Sequence, residues 1–488
     1  MTEAYDLVVI GAGPAGESAA ELAAFYGHRS VVIEKNRPGG TVTTTGGAPT
    51  KTLREAGLYL TGFRDRDIYG LHLAAAPDIV LPTIRKRTRD VSELLQRVTA
   101  DNIAKHNVDY LQGNARLGPG RTLLVRTPDG GELTLRAKAI LIASGSRPMR
   151  PKSIPFDDPG VCDSDTILAL GRIPKDIFIV GAGPVGVEYA TICHALGARV
   201  TLADIADRLM PLMDGEMSRR LDELFRKWGV TIVLGAAVDT INRTTAGNLE
   251  ILLSTGAKFQ PDTILFAAGR AANTEGLDLD AAGVRIDSLG RIVVDEHFRT
   301  SADGVFAAGD VLGPTLASVA MEQGRAAACH AVGIPFEGTV DPTPVSAVYG
   351  MPEVAGAGLT EEQCQAQGID YEVGRSDFDL IPRGAIAGHG GLLKLIFRRD
   401  NQKLLGVHCI GDIASELVGI GQMVIHFSGT LSVFDEVSMN TPTYSYAYKY
   451  AAFDGFRRLH HDGAYHTSVR RESDRNQPGP PSSSLAPP

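Results

Sequence analysis

The sequence predicts an α/β protein with two Rossmann-like, three-layer units followed by a C-terminal α+β domain. Two stretches each combine an apolar strand, a glycine turn and a helix, which is how a mononucleotide-binding fold begins. From about residue 341 the pattern changes to alternating strands and glycine turns, followed by helical segments. A chain of 488 residues is also too long for one hydrophobic core, so two to four domains are expected.

The first unit begins with the apolar run Leu7–Ile10 and a glycine turn at residues 11–16. Helical apolar spacing follows from Ala15 to Tyr26, and Ser30–Glu34 is the next strand. The turn supplies Gly11, Gly13 and Gly16, which permit a tight backbone bend, and the helix behind it presents an N-terminus that attracts pyrophosphate. Glu34, roughly 20 positions after the turn, offers a carboxylate to a ribose diol.

The second unit repeats this pattern over residues 176–204. Ile177–Val180 precedes a turn that supplies Gly181, Gly183 and Gly186, and a helix is predicted from Pro184 to Leu196. Asp204 ends the following strand and takes the place that Glu34 has in the first copy. One such turn is a weak signal, but two with the same context predict two dinucleotide sites.

Further strand-to-glycine signals at 139–145, 263–269 and 304–310 divide the chain. We expect a first domain at 1–150, a second domain at 151–275 inserted into it, and a return to the first at 276–340. A C-terminal domain is expected at 341–460. Residues 461–488 are polar and end in a Pro- and Ser-rich run, so they are predicted to be a disordered tail.

Composition excludes several functional classes. The net charge of −9 argues against a general nucleic-acid or anionic-membrane surface. The five cysteines are scattered singly, and no spacing suggests a metal site or a disulfide framework. The acidic N-terminus lacks a signal peptide, and no apolar run is long enough to span a membrane, so a cytoplasmic protein is expected.

The order of the motifs resembles that of the FAD-dependent pyridine nucleotide-disulfide oxidoreductases. It runs from the first glycine turn, through a Gly-Gly loop ending in Pro-Thr-Lys at 49–51, to the second turn, an Ala-Gly-Arg strand end and the segment Thr300 to Asp310. The resemblance covers about residues 5–460. It implies FAD in the first Rossmann-like domain, NAD(H) or NADP(H) in the inserted one, and a homodimer formed by the C-terminal domain.

The resemblance also implies the residues that hold each cofactor. Those expected at FAD are Gly11, Gly13, Gly16, Glu34, Gly40, Thr41, Lys51, Ser144, Gly145, Gly309 and Asp310. Those expected at NAD(P) are Gly181, Gly183, Gly186, Glu188, Asp204 and Gly269. Lys51 and Glu188 match a family Lys–Glu pair beside the flavin, where a cation stabilises the anionic reduced ring, and both are candidate catalytic residues.

The chain departs from the disulfide reductases at two places. Val42 and Gly47 stand where that group has its two redox cysteines, and neither can form a thiolate. Thr441 and Tyr446 stand where the C-terminal pattern has a base and its carboxylate partner. The dithiol relay and its proton acceptor are absent together, so we expect a different electron acceptor. Tyr446 is retained as a third candidate catalytic residue that crosses to the partner's flavin.

In detail the pattern is most similar to the soluble (Si-specific) NAD(P)+ transhydrogenases, which implies hydride transfer from one nicotinamide nucleotide through FAD to another. Two alternatives stay open here. One is an NADH-dependent reductase of a quinone or another conjugated small molecule, with the acceptor placed beside Thr43–Thr45 and Gly47. The other is a low-turnover flavin-binding sensor or scaffold. Asp204 is followed by no close cation except Arg208, so NAD(H) is expected to be favoured over NADP(H).

Overall fold

The computed structural model describes residues 3–70, 77–336, 338, 340 and 343–461. The predicted tail from 461 on lies outside this part, apart from His461. Within the described residues no helix is long and apolar enough to cross a membrane.

The first stretch of chain forms one sheet with helices on its faces. Its strands are β1 (Glu3–Ile10), β2 (Ser30–Glu34), β3 (Asp109–Gln112), β4 (Asn114–Gly118), β5 (Thr122–Arg126) and β6 (Glu132–Ile142). Its helices are α1 (Pro14–Phe25), α2 (Gly40–Thr44), α3 (Ala48–Thr61), α4 (Arg66–Tyr69) and α5 (Pro77–Lys105). β1 is apolar on both faces because both are covered: Leu7 and Val9 join one buried cluster, and Val8 and Ile10 join another.

The second stretch has its own sheet. Its strands are β7 (Ser146–Pro148), β8 (Val161–Asp163), β9 (Asp176–Val180), β10 (Arg199–Ala203), β11 (Thr231–Val233), β12 (Val238–Arg243), β13 (Leu249–Leu253), β14 (Lys258–Phe259), β15 (Thr263–Phe266) and β16 (Arg270–Ala272). Its helices are α6 (Pro184–Ala195) and α7 (Gly215–Lys227). The order β11-β10-β9-β15-β8 is parallel throughout, and β12-β13-β14 form a separate antiparallel sheet.

The chain then returns to the first sheet and enters a C-terminal layer. The return is β17 (Val305–Ala307) and α8 (Ala317–Val332). The C-terminal strands are β18 (Ser346–Val348), β19 (Glu353–Gly358), β20 (Tyr371–Asp377), β21 (Leu392–Arg398) and β22 (Leu404–Gly411). The helices are α9 (Glu361–Ala366), α10 (Pro382–Ala387), α11 (Ala414–His426), α12 (Val433–Glu436) and α13 (Ala447–His461).

Strand pairing shows how these stretches are joined. The first sheet runs β3-β2-β1-β6-β5-β4, and β17 pairs in parallel with β6, so the second stretch is inserted into the first. β7 and β16 pair antiparallel, which places both chain crossings side by side. The C-terminal sheet is antiparallel in the order β18-β19-β22-β21-β20. We call these three parts the first unit, the inserted unit and the C-terminal unit.

Candidate active site where the three units meet

The two glycine turns have the same construction. Gly11 and Gly181 have φ angles of 107° and 109°, which favour glycine. A Cβ on Gly16 would lie 1.9 Å from the oxygen of Gly11, and one on Gly186 would lie 1.7 Å from that of Gly181. Only glycine lets helix and turn approach this closely, so both copies bring a helix N-terminus against the end of a central strand.

The space in front of each helix suits a phosphate group. Gly13 and Gly183 are the N-caps of α1 and α6, and glycine carries no side chain to occupy the N-terminal N–H groups. Among the described residues, a Cβ on Gly183 would meet no atom within 4 Å, and one on Gly13 would meet only Gly40 at 3.8 Å. The open space at each turn and the positive end of each helix dipole therefore fit the pyrophosphates of two dinucleotides.

A carboxylate is held beside each turn by matching hydrogen bonds. Glu34 accepts from the backbone N–H groups of Ala12 at 2.9 Å and Asn36 at 2.7 Å. Asp204 accepts from those of Ala182 and Ala206, the latter at 2.8 Å. These bonds fix each carboxylate at the strand end where a ribose would lie, and each oxygen keeps a lone pair for a ribose hydroxyl.

Asp310 is hydrogen-bonded to the two-stranded ribbon of β7 and β16, which joins the first unit to the inserted unit. It accepts hydrogen bonds from the Ser146 hydroxyl and, at 3.0 Å, from the backbone N–H of Thr315. Arg270 donates to the Ser146 hydroxyl at 2.7 Å, so β16, β7 and Asp310 form one hydrogen-bonded chain. Sequence reasoning missed Ser146 and Arg270, because only the pairing of β7 with β16 brings them to Asp310.

The remaining residues expected at the first cofactor lie around the same ribbon and loop. Ser144 donates its hydroxyl to the oxygen of Asn273 at 2.7 Å, on the other crossing. Gly145 and Gly309 both have positive φ, as tight turns at strand ends require, and so does Gly269, which is expected at NAD(P). Thr41 sits in α2 and accepts from the N–H of Gly46 at 3.0 Å, which closes the loop before α3.

Lys51 and Glu188 meet, as the family resemblance implies. Lys51 Nζ donates to both Glu188 oxygens at 2.9 and 2.8 Å. Glu188 also accepts from the backbone N–H of Tyr349 at 3.0 Å, and the ring of Tyr349 lies 5.0 Å from Lys51 Nζ. Lys51 belongs to the first unit, Glu188 to the inserted unit and Tyr349 to the C-terminal unit. The carboxylate, with a side chain 8% exposed, therefore joins all three units.

Tyr349 is a site residue that no sequence signal identified. Burial raises the pKa of Tyr349, and the charges of Glu353 and Glu188 add to the effect. Its hydroxyl is therefore neutral at physiological pH and is not a base. What the residue offers is an aromatic face for the Lys51 cation and an N–H for Glu188.

A buried cation, Arg54, lies one helical turn after Lys51, whose own side chain is 32% exposed. Arg54 donates to the oxygen of Gly350 at 2.9 Å, and its guanidinium lies 3.2 Å from a carboxylate oxygen of Glu353. Both side chains are under 10% exposed. Spacing of three positions puts Lys51 and Arg54 on one side of α3, which is the signal that could have drawn attention to Arg54.

The loop that replaces the redox cysteines is closed. A Cβ on Gly47 would lie 2.4 Å from the oxygen of Val42 and 2.6 Å from its Cα, so the backbone of Val42 fills that space. Thr43 donates to the oxygen of Pro38 at 2.8 Å, and Thr44 to that of Gly40 at 2.8 Å. Both hydroxyls therefore donate to the loop's own backbone.

No thiol elsewhere replaces the missing pair. All five cysteines are free and buried. Burial raises the pKa of Cys162 and Cys193 to about 12 and that of Cys364 to about 11, and it raises the pKa of Cys329 and Cys409 as well. They are therefore thiols at neutral pH and poor nucleophiles.

The C-terminal candidates Thr441 and Tyr446 lie in the segment that leads into α13. Thr441 is exposed, and the Tyr446 ring meets Tyr450 edge to face at 5.7 Å. His408, within β22, is buried, with Nε2 2.9 Å from the oxygen of Leu359. In the described part of the chain, no group of three or more acidic, His or Cys residues is arranged to hold a metal.

Two domains of one known protein family match most of the chain. Residues 5–324 match the pyridine nucleotide-disulphide oxidoreductases, and residues 345–452 match the dimerisation domain of that family.

Several relatives are similar over almost their full length, and three of them carry the name soluble pyridine nucleotide transhydrogenase. That of Mycobacterium tuberculosis (strain ATCC 25177 / H37Ra) is 39% identical, covering 93% of this chain and 98% of the relative. Those of Pseudomonas aeruginosa (strain LESB58) and Marinomonas sp. (strain MWYL1) are 38% and 37% identical. They match 93% and 94% of this chain and 99% of each relative.

Solved structures share the architecture. LpdA from Mycobacterium tuberculosis superposes with a TM-score of 0.85 at 25% identity, covering 94% of this chain and 100% of that one. The HOCl-induced flavoprotein disulfide reductase RclA from Escherichia coli gives 0.82 at 27% identity, covering 92% and 99%. The second is named for disulfide reduction, so the shared architecture does not by itself show which electron acceptor this chain uses. With two glycine-turn units, the Lys51–Glu188 pair and both family matches in place, the chain belongs to the pyridine nucleotide-disulphide oxidoreductase family and is an FAD-dependent oxidoreductase.

Proposed function

We propose that this protein is a soluble pyridine nucleotide transhydrogenase, which passes hydride from one nicotinamide nucleotide through FAD to another. The observation that carries the proposal is the intact Lys51–Glu188 junction beside a loop whose thiol positions are Val42 and a sterically closed Gly47. The names of the relatives support the same activity.

The residues of the first unit suit FAD. Gly11, Gly13 and Gly16 would cradle its pyrophosphate, Glu34 its adenosine ribose, and Asp310 its ribityl chain. Bound there, FAD supplies the hydride chemistry, accepting hydride from one nicotinamide and donating it to the next.

The protein's own part is to place charge and exclude water. Lys51 holds a positive charge at the junction, and Glu188 fixes its direction through two hydrogen bonds. The Tyr349 face covers the ammonium group, which weakens competition from water. Hydride transfer needs no acid, base or thiol from the chain, so geometry and a dry contact are sufficient.

One nucleotide site in the inserted unit is sufficient, because donor and acceptor can occupy it in turn. Gly181, Gly183 and Gly186 would hold the pyrophosphate, Asp204 the adenosine ribose, and Glu188 the nicotinamide end. Gly269, at the end of β15, would line the same site.

We further propose that NAD(H) binds more tightly than NADP(H). The Asp204 carboxylate would face a 2′-phosphate unfavourably. Arg208, the cation nearest in sequence, instead contacts Glu362 at 3.1 Å and donates to the oxygen of Pro211 at 2.8 Å. It is held toward the C-terminal unit, which supports a structural role.

A homodimer and a cytoplasmic location complete the proposal. The dimerisation-domain match and the exposure of Thr441 and Pro442 support the first. In a dimer, this segment would reach the partner, and Tyr446 at the partner's flavin remains a proposal. A quinone or another organic acceptor is not favoured, because the Thr43 and Thr44 hydroxyls already donate to the loop's own backbone.

The activity is tested by steady-state turnover of purified FAD-loaded protein with NADPH as donor and an NAD+ analogue as acceptor. We expect sustained reduction of the analogue and bleaching of the flavin by both NADH and NADPH, with NADH effective at lower concentration. Bleaching by NADH without any transfer to the analogue would instead indicate a different acceptor. No bleaching by either nucleotide would indicate a sensor or scaffold.

Glu188→Gln tests the junction. Glutamine keeps the size and one acceptor oxygen but leaves Lys51 without its counter-charge, so flavin reduction by NADH should slow by about tenfold or more. Stopped-flow absorbance measures this rate. Glu250→Gln, which removes a carboxylate paired with Lys258 in the same unit, is the matched control and should leave the rate unchanged. A wild-type rate in the Glu188 variant would contradict the assigned role.

Asp204→Asn tests nucleotide preference. The amide keeps an acceptor for the Ala182 N–H and removes the charge that repels a 2′-phosphate. It is also a weaker acceptor for the hydroxyl groups of a ribose diol. The ratio of NADPH to NADH dissociation constants should therefore fall by about tenfold. Asp207→Asn, exposed in the same loop, should leave that ratio unchanged. An unaltered ratio in the Asp204 variant would show that another group sets the preference.

A further inference from the structure

A buried lysine far along the chain from the nucleotide motifs connects the C-terminal unit to the inserted unit. Lys394 on β21 is 1% exposed, and its ammonium donates to both oxygens of Asp214 at 2.8 and 2.9 Å. It also contacts Glu216 at 3.3 Å and Glu361 more closely. Asp214 and Glu216 begin α7 of the inserted unit, whereas Glu361 belongs to α9 of the C-terminal unit.

The surrounding charges keep this cluster ionised. Burial alone would raise the pKa of Asp214, but His408 and Lys394 outweigh it and hold this pKa below its usual value. Burial would likewise raise the pKa of Glu216, and Arg375, 2.9 Å away, reverses the effect. A buried lysine that lost these partners would be an uncompensated charge, so the cluster resists opening.

The carboxylate that Lys394 holds is the end of a loop that starts at the nucleotide site. The loop runs from Asp204, proposed at the ribose, to Asp214, the N-cap of α7. Inside it, Met213 donates to the oxygen of Met210 at 2.9 Å, and Met210 donates to the oxygen of Ala182 at 2.9 Å. Ala182 lies in the second glycine turn and donates its own N–H to Asp204. Lys394 is thus linked to the second glycine turn through Asp214, its neighbour Met213 and the hydrogen bonds made by Met213 and Met210.

The outer side of the same loop is held by a second cation–carboxylate contact. Arg208 contacts Glu362 of α9 at 3.1 Å, and Glu362 also accepts from the N–H of Gly215 at 3.0 Å. Unlike Lys394, Arg208 is about one-third exposed, with a side-chain exposure of 34%.

We propose that Lys394 is a positioning residue for nicotinamide nucleotides, by which the C-terminal unit fixes the loop between Asp204 and Asp214 and thereby sets nucleotide affinity. The Lys394 side chain is 1% exposed, so its effect on a bound nucleotide would be indirect. It acts through Asp214, and Arg208 supports it from the loop's outer side. This inference rests on the proposed placement of the nucleotide in the inserted unit.

The test is Lys394→Met in the full-length, FAD-loaded protein. Methionine fills a similar volume without the charge, so the loop loses its anchor. The dissociation constants of NADH and NADPH, measured by calorimetry and by thermal-shift titration, should both rise by about tenfold. KM should rise with them, while the flavin reduction rate at saturating nucleotide and the FAD content change little. Lys258→Met removes an exposed, ion-paired lysine of the inserted unit and is the matched control.

Arg208→Met keeps the inference testable if Lys394→Met does not fold, because Arg208 lies at the rim of the cluster. A positioning role predicts a smaller rise, about threefold, that is equal for NADH and NADPH. Weakening of NADPH alone would show that Arg208 binds the 2′-phosphate, and the inference would be wrong. Unchanged affinities in a folded Lys394 variant would also overturn it. Failure of wild-type protein to bind any nicotinamide nucleotide would instead overturn the proposed function.

Discussion

The arrangement depends most on one carboxylate that three parts of the chain share. Glu188 accepts hydrogen bonds from Lys51 and from the backbone of Tyr349, so moving any unit breaks a bond to a buried charge. A buried charge that loses its partner costs far more than the pair contributes. The pair therefore acts chiefly as a constraint on geometry, which suits a reaction that depends on how two rings are stacked.

Two buried ion pairs connect the C-terminal unit to each of the other two units. Arg54 with Glu353 joins the first unit to the C-terminal unit, and Lys394 with Asp214 joins the inserted unit to the C-terminal unit. The C-terminal unit thus helps to hold the first and inserted units in place within one chain. This view accounts for buried charges in a domain whose family name mentions only dimerisation.

Sequence patterns predicted the parts of the site that are built locally. The glycine turns, Glu34 and Asp204 follow from a strand, a turn and a helix within about 30 residues, a unit whose geometry is nearly fixed. The Lys51–Glu188 pair, 137 positions apart, was reached only through the family resemblance. Tyr349, Ser146 and Lys394 were missed because their contacts lie between units, and periodicity within one element carries no information on such contacts. Spacing from Lys51 marks the position of Arg54, but it does not reveal the contact of Arg54 with Glu353 in another unit. The loop with Gly47 shows the same limit, since its small residues left open whether they line an acceptor pocket, and only the structure shows the Val42 backbone against Gly47.

The central claim is that electrons pass between nucleotide and flavin with no sulfur centre between them. The raised pKa values of the buried thiols and the closed loop at Gly47 leave no described group for a dithiol intermediate. The most direct measurement is an anaerobic reductive titration that counts the electrons taken up by each bound FAD. Uptake should end at about two electrons per FAD, the capacity of the flavin alone, whereas uptake of about four would reveal a redox-active disulfide and contradict this account.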